Sequence, residues 1–198
     1  MSTPGAEAQF RRWLVQKLVL TLANNSITAP IIAITFNESP YKTLKDVVEA
    51  ARKDPKGVMY GSSGNGSPLH LAGELFTSQN KIDMTHVPYK GGNAHIMDLI
   101  GGRVPVIFDT ATNCVPLLKS GKVRALAVGS AARLADFPNV PTFAEAGYPQ
   151  FDFSAWYAVF APAKTPKDVV TKLSSALSTA RLASVMIPLA IRFNSSVG

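Results

Sequence analysis

Cysteine is nearly absent from this chain: Cys114 is the single one among 198 residues, so no internal disulfide and no thiolate metal cluster can form. In the apolar run Cys114-Val-Pro-Leu-Leu118 it reads as a small packed hydrophobe. Histidine is scarce too. His70, His86 and His95 match no paired metal-ligand spacing, so neither a metal nor another cofactor is expected, and His86 and His95 read as packing residues. No stretch reaches the roughly 18 consecutive apolar residues of a membrane span, so no direct membrane insertion is expected. The 20 lysines and arginines exceed the 13 acidic residues, for a formal charge of +7, but they are scattered and form no basic run suited to a phosphate backbone. Nucleic acid is therefore not an expected partner. The stretch after Arg11 and Arg12 reads as a poor secretory signal, because Gln16 and Lys17 interrupt its apolar run.

What the chain does have is a strand that runs into a glycine-rich turn and out into a helix, Tyr60-Gly-Ser-Ser-Gly-Asn-Gly-Ser-Pro-Leu-His-Leu-Ala-Gly-Glu74. Gly61, Gly64 and Gly66 let the backbone turn sharply and approach a ligand closely. Ser67 suits the N-cap and Pro68 the first helical position, where no amide donor is needed. The free amides of that first turn and the positive end of the helix dipole would welcome a carboxylate or phosphate. The same residues also suit a tight strand-to-helix turn that holds no ligand.

The known catalytic versions of such a loop do not fit. Gly61 and Gly66 have the spacing of a Walker loop, but Ser67 stands where its lysine must be. Leu69 takes the place of the third glycine of a dinucleotide fingerprint. A nucleophile elbow on Ser63 needs glycine where Asn65 stands. A hydrolase built on Ser63 or Ser67 with His70 remains as an alternative, lacking an orienting acid.

With 46% hydrophobic residues the chain can bury a core, in one or two domains. Apolar spacing predicts an amphipathic helix over residues 6–23, a strand over 31–36 and a helix over 41–53 capped by Thr43, with Asp46 three residues on and Asp54 and Pro55 as its stop. Strands over 58–62, 84–88, 104–108 and 125–129 then alternate with helices over 68–79, 93–100 and 113–120. That alternation implies an α/β fold with a mainly parallel sheet flanked by helices. A short helix over 142–146, an apolar strand over 153–161 and a helix over 166–180 complete the reading. Ligands of such sheets gather beyond the carboxyl ends of strands, where residues 62–67, 88–92 and 109–112 all fall. Asp109 there reads equally as a ligand acceptor or as the cap of the next helix.

Four motifs together resemble one family: the glycine-serine stretch just quoted, His86-Val-Pro-Tyr-Lys-Gly91, Pro138-Asn-Val-Pro-Thr-Phe-Ala-Glu-Ala-Gly147 and Ser154-Ala-Trp-Tyr-Ala-Val-Phe-Ala-Pro-Ala-Lys-Thr-Pro166. In order and spacing they are similar to the Bug, or TctC-like, solute-binding proteins of tripartite tricarboxylate transporters. The resemblance implies a type 2 periplasmic-binding-protein-like lobe with crossover strands, closing on a small carboxylate in the periplasm, and membrane components of the transporter as partners. It implies ligand contacts from Ser62, Ser63, Gly64, Asn65, Gly66 and Ser67, with His70 supporting that loop. Asp109 would meet the ligand's distal or amino end, and Tyr89 would shape the rim, with Lys90 adding to the field.

The resemblance also implies a division of the chain. Residues 1–30 match nothing in the family, residues 31–160 form the second ligand-binding lobe with its crossovers, and residues 161–198 return toward the first lobe with an aberrant end. A solute-binding protein largely missing its first lobe, and so impaired in binding, is the expectation; a non-functional gene remnant is the alternative.

Overall fold

The computed structural model describes residues 27–157, 161–162 and 165–184. The helix expected over 6–23 and the segment after residue 184 lie outside them. One compact unit comprises Ala29–Ala155, and the described residues outside it belong to a second.

The first unit is organised by strand β1 (Ile27–Phe36). Its residues Ile31, Ile32, Ala33 and Ile34 are all fully buried, the unbroken apolar run of a strand covered on both faces. Helix α1 (Leu44–Lys53) follows, buried along one stripe by Leu44, Val47, Val48 and Ala51. Its start is the capping box that the sequence promised: Thr43 Oγ1 accepts from Asp46 N, and the Asp46 side chain accepts from Thr43 N.

Alternation then builds the sheet: β2 (Met59–Ser62), α2 (Pro68–Asn80), β3 (Thr85–Pro88), α3 (Ala94–Ile100), β4 (Val106–Thr110), α4 (Ala111–Lys119) and β5 (Val123–Val128). The strand order is β3-β2-β4-β1-β5, with β6 (Ser154–Tyr157) pairing β1 off that path. β2 runs parallel to β3 and β4, whereas β1 is antiparallel to both β4 and β5. Strands β2 to β5 therefore all point one way and β1 points back, a mixed sheet in which the carboxyl ends of β2 to β5 share one edge.

Helix α2 lies on this sheet through Leu69, Ala72 and Phe76. Phe76 meets Phe108, Phe143, Tyr148 and Phe151 at ring distances of 5.4 to 6.1 Å, and Phe143 stacks on Phe151 at 4.0 Å. These rings tie residues 143–151 to the body of the unit. The segment expected to be a short helix over 142–146 is instead a hydrogen-bonded turn. Thr142 and Glu145 form reciprocal bonds there, Glu145 N to Thr142 Oγ1 at 3.1 Å and Thr142 N to Glu145 Oε2 at 2.8 Å. Gly147 at φ 95° and the Tyr148 N bond to Phe143 O close the turn before a second one can form. In the second unit, helix α5 (Lys167–Ser184) begins with Asp168 in its first turn and exposes Val169 and Leu173.

Candidate functional site

At the shared carboxyl edge, β2 ends in Ser62 and α2 begins at Pro68. Ser67 caps the helix, its Oγ accepting from His70 N at 3.2 Å. The turn between needs glycine at two places. Gly64 has φ 137°, and a Cβ there would stand 2.9 Å from Tyr89 O; Gly66 has φ 74°. The chain after β3 docks on this turn, Tyr89 N donating to Ser62 O and Gly91 N to Ser63 O, each at 3.0 Å. Ser62, Ser63, Gly64, Asn65, Gly66, Ser67, His70 and Tyr89 are thus brought together. The outer part of the turn, Asn65 and Gly66, is exposed, whereas Ser62 is buried.

The turn rests on a polar and aromatic stack. Gly66 N donates to His70 Nδ1 at 3.1 Å. The His70 ring lies on His86 with centroids 4.0 Å apart, and His86 lies on Tyr60 at 5.0 Å. His86 Nε2 is 2.7 Å from Ser62 Oγ, which also accepts from Gly64 N at 3.1 Å. Glu74 closes the group, accepting from Tyr60 Oη at 2.5 Å and lying 3.7 Å from His70 Nε2. Burial holds the His86 imidazole below its ordinary value, His70 adds to that, and Glu74 opposes it. The Tyr60 phenol is pushed up by burial and by its bond to Glu74.

The sequence reading took His86 for packing and so missed its bond to the loop. The missing information was strand register, which sets Tyr60 beside His86 and thereby brings Ser62, two residues on, over the same ring.

Tyr89 sits on the rim, but its hydroxyl donates to Asp98 Oδ2 at 2.7 Å, and Asp98 Oδ1 also accepts from Arg103 Nε and Nη2. Burial and the Asp98 carboxylate push the Tyr89 phenol up to about 12. Asp109 stands inside β4 rather than after it and is fully buried. Its carboxylate accepts from His95 Nε2 at 2.8 Å, Thr110 N at 2.6 Å and Asn113 Nδ2 at 3.1 Å, and Thr110 takes the N-cap position. Asp109 thus braces the β4 to α4 junction and is not among the groups gathered at the loop. Cys114 is buried nearby, its thiol raised well above the ordinary value by burial and then by Asp109.

Nucleophilic chemistry finds little support in this arrangement. Nδ1 of His70 receives a backbone amide and the Ser67 hydroxyl receives the His70 amide, so the bonds at these two groups are those of a capped helix start and a braced turn. Ser62 does meet His86, but it is fully buried and tied to Gly64. Among the described residues no group of three or more His, Cys, Asp or Glu side chains is placed to hold a metal, and no helix is long and apolar enough to cross a membrane. A cleft of about 360 Å³ opens beyond β5, lined by Gly129, Ser130, Phe143, Phe151, Asp152 and Ser154. It shares no residue with the loop and lies three strands away in the sheet order.

Solved structures place this architecture among the periplasmic solute-binding proteins. The chain superposes on R. palustris Rpa4515 with adipate at a TM-score of 0.75 and 33% identity, over 83% of this chain and 55% of that one. It superposes on MatC from Rhodopseudomonas palustris with bound malate at 0.73 and 30%, over 83% and 54%. Its relatives include the UPF0065 protein in the tcbD-tcbE intergenic region of Pseudomonas sp. (strain P51), 35% identical over 154 residues, 77% of this chain and 46% of that protein. The chain belongs to the tripartite tricarboxylate transporter family receptors, TctC, whose family profile matches residues 14–190. It spans about half the length of these relatives.

Proposed function

We propose that this chain is a periplasmic solute-binding protein that holds a small carboxylate at the glycine-serine turn for a tripartite tricarboxylate transporter, whose membrane components are its partners. The observation that carries this reading is the turn itself. Gly64 and Gly66 open the backbone, Ser67 caps the 13-residue helix α2, and the positive end of that helix faces the turn. A carboxylate would accept from the Ser63 and Asn65 amides and from the hydroxyls of Ser63 and Ser67, with water bridging part of the contact. Tyr89 and Gly91 shape the rim, and Asp109 acts from behind by fixing the end of β4. The adipate and malate bound to two structural relatives support the ligand class.

The described residues supply one wall of such a cleft, and a ligand held against one wall stays open to water. The chain by itself is therefore expected to bind weakly, with Kd on the order of 0.1 mM or about −5.5 kcal/mol. Calorimetric titration with malate, adipate, citrate and glutamate, against their uncharged amides, tests both parts. Failure of every carboxylate to bind, or equal binding of the amides, overturns the site. Submicromolar binding would overturn the weakness while leaving the site intact.

A further inference from the structure

The two stacked imidazoles under the turn act on alternate amides of it. Gly64 N is held by Ser62 Oγ at 3.1 Å, and that oxygen in turn sits 2.7 Å from His86 Nε2. Gly66 N is held directly by His70 Nδ1 at 3.1 Å. Both glycines lie at positive φ, 137° and 74°, and glycine left unheld wanders further than any other residue. The rings are themselves fixed: they stack on one another, Tyr60 backs His86, and Glu74 Oε1 accepts from Tyr60 Oη and lies 3.7 Å from His70 Nε2. A fixed ring, a relaying hydroxyl and a glycine amide thus form one chain from strand β3 into the turn.

We propose that His86 is a positioning residue of the receptor turn: through Ser62, and beside His70, it draws the Gly64 and Gly66 amides inward and reserves the donors between and around them for the ligand carboxylate. This rests on the carboxylate reading above and adds what sets its geometry. Removing the nitrogen of His86 takes away the closest partner of the buried Ser62 hydroxyl and leaves it only its longer bonds to Gly64 O at 3.2 Å and Gly64 N at 3.1 Å, so the hydroxyl turns or takes in water. The anchor of Gly64 is then no longer fixed from β3, although the ring stack and the helix cap remain.

Amide exchange in the free full-length chain reads this arrangement without ligand. Corrected for intrinsic rates, Gly64 and Gly66 are expected to exchange about tenfold more slowly than Ser63 and Asn65; equal rates overturn the proposal. His86→Phe keeps an aromatic ring and removes the nitrogen, whereas His86→Gln keeps a polar nitrogen within reach of Ser62. His86→Phe is expected to erase the protection of Gly64 and to weaken malate binding about tenfold, the scale of one lost buried hydrogen bond, and His86→Gln to restore most of both. A packing role gives the reverse order, with Phe tolerated and Gln not, and that result overturns the proposal. Should His86→Phe fail to fold, Ser62→Ala interrupts the same relay and is expected to show the same two losses; normal Gly64 protection in it overturns the relay. Malate bound equally by parent and His86→Phe sinks the positioning role and leaves the carboxylate site standing. No carboxylate bound by the parent sinks both.

Discussion

Tyr60 shows how much of the proposed site depends on a residue set behind the turn. Its ring is fully buried between α2 and the sheet, stacked on His86 and set edge-on to Phe108. It fits because Gly73 stands above it: a Cβ at position 73 would fall 2.2 Å from Tyr60 Cε2 and 2.6 Å from Cζ. The ring cannot swing aside while its hydroxyl is bonded to Glu74. Gly73→Ala is therefore expected to cost about 1–3 kcal/mol in urea unfolding through overpacking, despite the better helix propensity of alanine, and to disturb the His86 resonances. A second prediction concerns pH. Because burial and His70 hold His86 below its ordinary value of 6.5, the unfolded chain takes up this proton first. Its contribution to stability is complete above that value and declines as pH falls through it toward the lower folded one. Urea midpoints should drop between about pH 7.5 and 5, and the drop should be shallower in His86→Gln; an unchanged slope would remove His86 from the account.

Among the elements, those announced by local chemistry were legible. Helix α1 begins where Thr43 and Asp46 say it should and stops at Asp54; Thr43→Ala is expected to cost about 1 kcal/mol by chemical denaturation. Asp46 is held below its ordinary value first by its backbone bond to Lys42, so this cap is present above the usual aspartate range and is lost as pH falls below it. The turn before α2 was equally legible, since Ser67 and Pro68 define a helix start without help from the rest of the molecule. Where distant contacts decide, the reading slipped. Thr142 and Glu145 have the spacing of a helix cap and do bond as one, yet the aromatic packing of Phe143 and Tyr148 on Phe76 ends the turn at once. Asp109 looked like the first residue after a strand, but pairing with Ile32 keeps it inside β4, where His95 covers its carboxylate. The bond of His86 to Ser62 is not legible in the sequence, because register between β2 and β3 is written in no local pattern.

At the scale of the whole sheet, topology gathers a run of ordinary strand-helix units into the edge that carries the proposed receptor turn. β2 runs parallel to β3 and β4, so the strand ends that carry the turn, Tyr89 and the end of β4 all face one side. The charge of the chain acts on that same edge at longer range. A net charge of +7 with no basic run makes a diffuse field rather than a phosphate track, and Lys90 is the exposed cation next to the rim. Two contributions to the proposed carboxylate affinity then separate by their response to salt. Amide donors and the α2 terminus act in contact and change little, whereas the diffuse field fades as the Debye length shrinks from about 10 Å at 0.1 M to about 3 Å at 1 M. Between about 0.05 and 0.5 M salt the affinity for a dicarboxylate is expected to fall roughly threefold, and that for a monocarboxylate by about the square root of that factor. Lys90→Gln should reduce the salt slope without abolishing binding. Titrations in a non-binding salt such as potassium fluoride, with malate set against acetate, would show it. Equal slopes for the two ligands would mean that charge number is irrelevant, and that the turn holds one carboxylate by contact hydrogen bonds alone.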